Sequence, residues 1–172
     1  MAIQVRTPAN VDFEARGMAE WVSLYQTYNA IFKVTELALL PHNLSLPQLH
    51  LLSVLRRRGG ILTTGEIGRE MVKSSQTITG LVDRLEAGSF VERQFDRRDR
   101  RKTWVRLTAK GERKWEEAMP VANRLTEEVS SVLTDRELAQ LGARTEKLRA
   151  IAMEGLAKAL AGRPSGIAGT RP

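Results

Sequence analysis

The feature that most constrains the fold is a change in the spacing of apolar residues near position 90. Over 75–87 they fall at the i, i+3, i+4 and i+7 positions of an amphipathic helix, as Ile78, Leu81, Val82 and Leu85. After Gly88 the spacing alternates from Val91, and a second alternating run, T-W-V-R-L, covers 103–107. The sequence therefore predicts a helix followed by a β-hairpin, whose tip is the polar run D-R-R-D-R-R-K at 96–102.

Two shorter helices are predicted before this one from their start signals. Ser45 with Gln48, and Thr63 with Glu66, have the spacing of capping boxes, which predicts helices over 46–58 and 64–71. Two short helices followed by a two-stranded wing are typical of a winged helix-turn-helix, in which the second helix of the pair enters the major groove. We therefore interpret 75–87 as the recognition helix.

The regions that flank this unit are also helical in pattern. Helices are predicted over 12–40, over 109–133 with a kink at Pro120, and from Thr134 to about residue 160. The predicted fold is mainly α with a small β-hairpin. It comprises a flexible arm at 1–11, a helical platform at 12–45 and 109–160, a winged helix-turn-helix region at 46–108 and a disordered tail at 161–172. We predict that the platform mediates dimerisation. The alternative is that its apolar residues pack within a larger monomer.

The positive charge of the chain is concentrated in one segment. Residues 56–114 contain 16 Lys and Arg against 8 Asp and Glu, whereas the rest of the chain contains 11 against 12. Such a concentration favours a polyphosphate partner, and we predict double-stranded DNA. The alternative is a solvated charged face with no partner.

Composition excludes several other classes of function. The 172 residues contain no cysteine and two histidines, so thiol chemistry is excluded and no metal site is predicted. No nucleophile–base pair, glycine-rich phosphate loop or other catalytic constellation has a recognisable spacing, and we expect neither an enzyme nor a cofactor. Without a signal peptide or an apolar run long enough to span a bilayer, the protein is expected to be cytoplasmic.

The predicted DNA contacts lie on the recognition helix and on the wing. Gln76 is suited to adenine, and Arg84 to guanine or phosphate. Gly80 removes side-chain bulk where backbone approaches the groove. Further hydroxyl contacts are predicted from Thr64, Ser74, Ser75, Thr77 and Thr79. The wing tip, with five cations and two acids, adds Arg97, Arg98, Asp99, Arg100, Arg101 and Lys102. The alternatives are an exposed polar helix face and a solvated turn.

The run T-I-T-G-L-V-D-R-L-E-A-G-S-F-V-E-R-Q-F-D-R-R-D-R-R-K-T-W-V-R-L-T-A-K-G, at 77–111, closely resembles the MarR family of bacterial transcriptional regulators. The resemblance implies a homodimer whose outer helices form the interface. It also implies that Arg101 reaches the minor groove and that Asp99 supports it. The sequence departs from the family at Ser89, where glycine is usual. Here glycine stands one position earlier, at Gly88.

The resemblance further implies a small aromatic or anionic effector that binds between the platform and the reading helices and releases DNA. Trp21, Tyr25, Tyr28 and His50 are our candidates for this pocket. For each residue individually we favour the alternative, in which the aromatics are core and His50 is a partly buried, hydrogen-bonded histidine. The chain is thus predicted to be a transcriptional repressor that binds an inverted repeat. The main alternative is an architectural protein that binds DNA without reading its sequence, and a helical adaptor that binds protein is a further one.

Overall fold

The computed structural model of the chain describes residues 17–96, 99 and 102–162. Within them the elements are α1 (Met18–Leu39), a short 3-10 turn (Leu40–His42), α2 (Leu46–Arg57), β1 (Ile61–Thr63), α3 (Thr64–Met71), α4 (Ser75–Ala87), β2 (Val91–Phe95), β3 (Thr103–Leu107), α5 (Ala109–Ser130) and α6 (Asp135–Ala161). The predicted arm at 1–11, the predicted first residues of the first helix at 12–16 and residues 163–172 of the predicted tail lie outside the described residues.

Side-chain caps fix where the short helices begin. Both predicted capping boxes form, at Ser45 with Gln48 and at Thr63 with Glu66. The carboxylate of Glu66 accepts hydrogen bonds from the backbone N–H and the hydroxyl of Thr63, each at 2.7 Å. These bonds favour the charged form, so they lower the pKa of Glu66. Local chemistry of this kind explains why α3 and α4 span the predicted residues.

The wing is a three-stranded antiparallel sheet in the order β1-β3-β2. In the β2–β3 hairpin Val91 lies opposite Leu107 and Phe95 opposite Thr103, as expected for a hairpin that closes on 96–102. The mainly α fold with a wing is thus confirmed, but β1 was not predicted. This strand has three residues, with Leu62 opposite Val105, and is too short to display an alternating pattern.

A single apolar core unites α2, α3, α4 and the sheet. Its largest fully buried side chains come from the end of α1 and from these elements: Leu39, Leu49, Leu51, Leu52, Val54, Leu55, Ile67, Ile78, Leu81, Val82, Leu85 and Val91. Helix α5 adds Ala118 and Ala122 to the same core. The four apolar residues that defined the recognition helix are all buried, so its opposite face is free to contact a partner.

Two positions at the base of the wing have special backbone requirements. A Cβ on Gly111 would lie 2.0 Å from the carbonyl oxygen of Phe90, so only glycine allows α5 to pass the end of α4 this closely. Ser89 has φ +59°, the left-handed region that favours glycine, whereas Gly88 is right-handed with φ −79°. Serine therefore stands in the left-handed conformation at the position where glycine is usual in the family that the sequence resembles. Gly88, one position earlier, does not take over that conformation.

The described residues divide into two compact units, one ending at Thr126 and one beginning at Glu127. The second unit contains the end of α5 and all of α6. Helix α6 begins at a third capping box, formed by Thr134 and Glu137. None of its residues is buried, and its exposed apolar side chains include Leu148 and Ile151. None of the described helices is long and apolar enough to cross a membrane.

Candidate nucleic-acid interface

The recognition helix α4 presents a polar face to solvent. The side chains on this face are exposed, and Gly80 is half-buried among them: Gln76, Thr77, Thr79, Asp83, Arg84 and Ala87. A Cβ on Gly80 would meet only the Arg84 guanidinium, at 3.9 Å. No contact among the described residues therefore requires glycine here, which fits the interpretation that an external surface approaches the helix at this point.

The hydroxyls at the start of α4 are already hydrogen-bonded within the helix. The Ser74 Oγ accepts from the Thr77 backbone N–H at 3.3 Å and lies 2.9 Å from the Thr77 Oγ1. The Thr79 hydroxyl donates to the Ser75 carbonyl at 2.9 Å. These hydroxyls are exposed but already bonded, and among the predicted contacts on α4 the side chains of Gln76 and Arg84 are the longest. Thr64 is the first residue of α3 and is half-buried.

A side chain that the sequence analysis did not single out joins the recognition helix to the wing. Arg93, on β2, forms ion pairs with Asp83 and Glu86 of α4, the second at 3.1 Å. Its Nη2 also donates to the Thr79 carbonyl at 3.1 Å, and its backbone N–H donates to Glu86 at 3.0 Å. We call this set of contacts the helix–wing clamp. Because one guanidinium bonds three residues over two turns of α4, helix and strand are held in one relative orientation.

The helix–wing clamp has no signal that sequence reasoning could have used on its own. In the sequence, Asp83 lies on the face of α4 opposite its apolar residues, and Arg93 is one member of the alternating run that begins at Val91. Their contact joins residues ten apart in different elements, which neither helical nor strand periodicity predicts.

The base of the wing tip is closed by Asp96. Its carboxylate accepts from the Trp104 indole N–H at 3.1 Å and from the Asp99 backbone N–H at 3.1 Å. Its own backbone N–H donates to the Lys102 carbonyl at 3.1 Å. Asp99 is half-buried and Lys102 is exposed. The other predicted wing contacts, Arg97, Arg98, Arg100 and Arg101, lie outside the described residues.

The candidate effector residues are exposed. Trp21, Tyr25 and Tyr28 lie on α1 and are 60%, 60% and 55% exposed, so their interpretation as core residues is wrong within the single chain. The sequence could not show this, because a helical apolar stripe has the same spacing whether its partner is intramolecular or another molecule.

His50 lies on α2 and is also exposed. Its pKa is lowered, first by partial burial and then by the positive charges of Arg57 and Lys73, with Glu70 opposing them. Protonation would add a third charge beside two cations, so the imidazole is mainly neutral at pH 7.

Comparison with known proteins finds similar proteins both by sequence and by fold. A MarR family model matches residues 42–102. The HTH-type transcriptional repressor MdtR of Bacillus subtilis is 32% identical over 101 residues, which cover 59% of this chain and 64% of MdtR. The chain spans about half the length of the curated relatives that it matches. These relatives are transcriptional regulators.

Two solved structures illustrate the likeness of fold. The organohalide-sensing regulator RdhR in its 2,4-dichlorophenol-bound form superposes with a TM-score of 0.74 at 21% identity, covering 87% of this chain and 88% of RdhR. A mutant of MarR from E. coli complexed with operator DNA gives a TM-score of 0.71 at 21% identity, covering 81% and 99%. At this identity the structures establish the fold alone. Residues 42–102 are therefore similar in sequence to the MarR family, and the described chain has a MarR-like winged helix-turn-helix fold.

Proposed function

We propose that the chain binds duplex DNA with α4 in the major groove and the wing tip in the adjacent minor groove. The observation that carries the proposal is the helix–wing clamp. Arg93 connects the exposed polar face of α4 to strand β2, which leads directly into segment 96–102. The sequence of that segment contains five cations and two acids. A rigid pair of this kind can read base edges at one groove while cations meet the more negative potential of the other.

A second copy of the chain completes the proposed reader. Helix α1 exposes Trp21, Tyr25 and Tyr28, and α6 exposes Leu148 and Ile151. A stripe of large apolar side chains in water is costly and is typical of an interface. A homodimer built on these helices would present two copies of α4 to half-sites about 34–36 Å apart on an inverted repeat.

The regulatory part of the proposal is a repressor that a small aromatic or anionic compound releases from DNA. Its supports are the repressor MdtR among the relatives, the dichlorophenol in RdhR and the exposed aromatic residues of α1. The unprotonated nitrogen of a neutral His50 can accept a hydrogen bond from a phenol hydroxyl. The positive charges of Arg57 and Lys73 beside it favour an anion.

Titration with phenols and aromatic acids tests this part. We expect tryptophan emission to change in the native protein, much less in Trp21→Phe, and DNA to be released over the same range of concentration. A protein that keeps its DNA and its emission across the whole set would remove the effector from the proposal.

Selection of bound fragments from sheared genomic DNA, followed by footprinting, tests the DNA-binding function. A regulator is expected to protect an inverted repeat and to prefer it to bulk DNA by roughly 10³ or more. Uniform protection without preference would instead favour the architectural alternative. A protein that retains no fragment at modest salt would contradict both.

A further inference from the structure

A large aromatic ring stands exposed beside the cationic wing tip. Phe95 is the last residue of β2, pairs with Thr103 across the hairpin and is 72% exposed. Its ring contributes little to the core, because more than two-thirds of it remains in water. The ring therefore has no evident role in the folding of the single chain.

Strand alternation assigns this ring to a particular face of the wing. Side chains two apart on a strand share a face, so Phe95 shares one with Arg93 and Val91. Val91 is buried in the core, and Arg93 bonds to α4 in the helix–wing clamp. Phe95 is thus on the face of the wing that is turned toward the recognition helix, one step farther out along the strand.

The strand that carries the ring is held by hydrogen bonds just beyond it. The next residue, Asp96, bonds to the Trp104 indole and to the Lys102 carbonyl, which closes the hairpin immediately after Phe95. The ring accordingly projects from an ordered strand. Segment 96–102, which begins immediately after it, carries five cations and two acids.

We propose that Phe95 is a DNA contact, packing its ring against the deoxyribose groups that line the minor groove where the wing tip enters. The charge of 96–102 selects a polyanion, and the sugars of a duplex are the apolar surface that such a polyanion offers beside its phosphates. This inference rests on the proposed function. The proposed Phe95 contact would not depend on salt concentration, whereas the other predicted contacts of the wing are ionic.

Binding isotherms at several salt concentrations test the contact, with a duplex that the native protein selects from a random-sequence library. Phe95→Ala is expected to bind roughly tenfold more weakly at every salt concentration, the loss expected for an aromatic ring partly buried at an interface. Phe95→Tyr keeps the ring and should bind within about threefold of the native protein. Because the side chain is exposed, both variants should melt at the native temperature.

Two control variants separate the ring from its surroundings. Gln94→Ala lies on the same strand but on the opposite face, and we expect its affinity to be native. Lys102→Ala should lower the slope of log affinity against log salt by about one unit, whereas Phe95→Ala should leave the slope unchanged.

The outcomes distinguish this inference from the proposed function. Native affinity of Phe95→Ala, or an equal loss in Gln94→Ala, overturns the role of Phe95 while leaving DNA binding in place. A native protein that selects no duplex from the library overturns the proposed function itself.

Discussion

Apolar side chains differ in exposure between two parts of the molecule, the winged-helix region at residues 46–108 and the outer helices α1 and α6. Leu51, Leu52 and Leu55 of α2 are fully buried. Trp21 of α1 is 60% exposed and Ile151 of α6 is 71% exposed. The winged-helix region thus buries its large apolar side chains within its own core, whereas many of those on the outer helices remain exposed.

This difference separates two kinds of folding requirement. The winged-helix region packs closely against the start of α5, where Gly111 lies against the Phe90 carbonyl. In the proposed homodimer the outer helices would depend instead on concentration, because association would bury their exposed surface. Substitutions in the winged-helix core should therefore lower the free energy of unfolding, whereas substitutions on the outer helices should change the state of association.

The largest effect is expected from Gly111→Ala, which places a Cβ 2.0 Å from the Phe90 carbonyl oxygen. Backbone has to shift, so we expect a loss of about 3 kcal/mol or more in the free energy of unfolding. Urea denaturation followed by tryptophan emission measures it. Gly142→Ala is the matched control on α6, where an added Cβ meets no described atom within 4 Å. Equal tolerance of the two changes would contradict the comparison.

Ile151→Glu should instead separate the protomers. A charge in an apolar interface costs roughly 2 kcal/mol or more, so the protein should sediment as a monomer at micromolar concentration. Its winged-helix region should remain folded by circular dichroism. Gln140→Glu, an exposed polar position of the same helix, should leave the mass unchanged. If Ile151→Glu keeps the native mass, α6 does not form the proposed interface.

Gly80→Ala should move stability and DNA binding in opposite directions. Alanine raises helix stability by roughly 0.5–1 kcal/mol, and the chain itself leaves room for the methyl group. If DNA backbone or bases approach the helix here, affinity should fall about tenfold. Thermal melting and a binding isotherm on the same sample measure both quantities. A variant that is stabilised and binds normally would place the DNA elsewhere.

The smallest effect is expected at the end of the recognition helix. Ser89 holds φ +59°, so Ser89→Gly should stabilise the winged-helix region by about 1 kcal/mol. Gly88→Ala is the contrasting change, because its Cβ would lie 2.6 Å from the Phe90 ring. Denaturant midpoints of the two variants should shift in opposite directions. A loss of stability in Ser89→Gly would show that serine makes a compensating contact.

Sequence reasoning succeeded where the structure is decided locally. The starts of α2 and α3 follow from the capping boxes at Ser45 and Thr63, which act over three residues. It failed for β1, which pairs with β3 from forty residues away, and for the helix–wing clamp at Arg93. It also could not tell that the aromatic stripe of α1 is exposed. Each of these depends on which distant surface meets a residue, and spacing along the chain does not contain that information.

The central claim is that α4 and the wing tip hold the same duplex in neighbouring grooves. Because the sequence contains no cysteine, Gln76→Cys and Lys102→Cys each create a unique site for an iron chelate that cleaves nearby DNA. We predict cleavage in the major groove of each half-site from position 76, and in the adjacent minor groove from position 102. Cleavage from position 76 alone, or from neither position on DNA that the protein binds, would contradict the account.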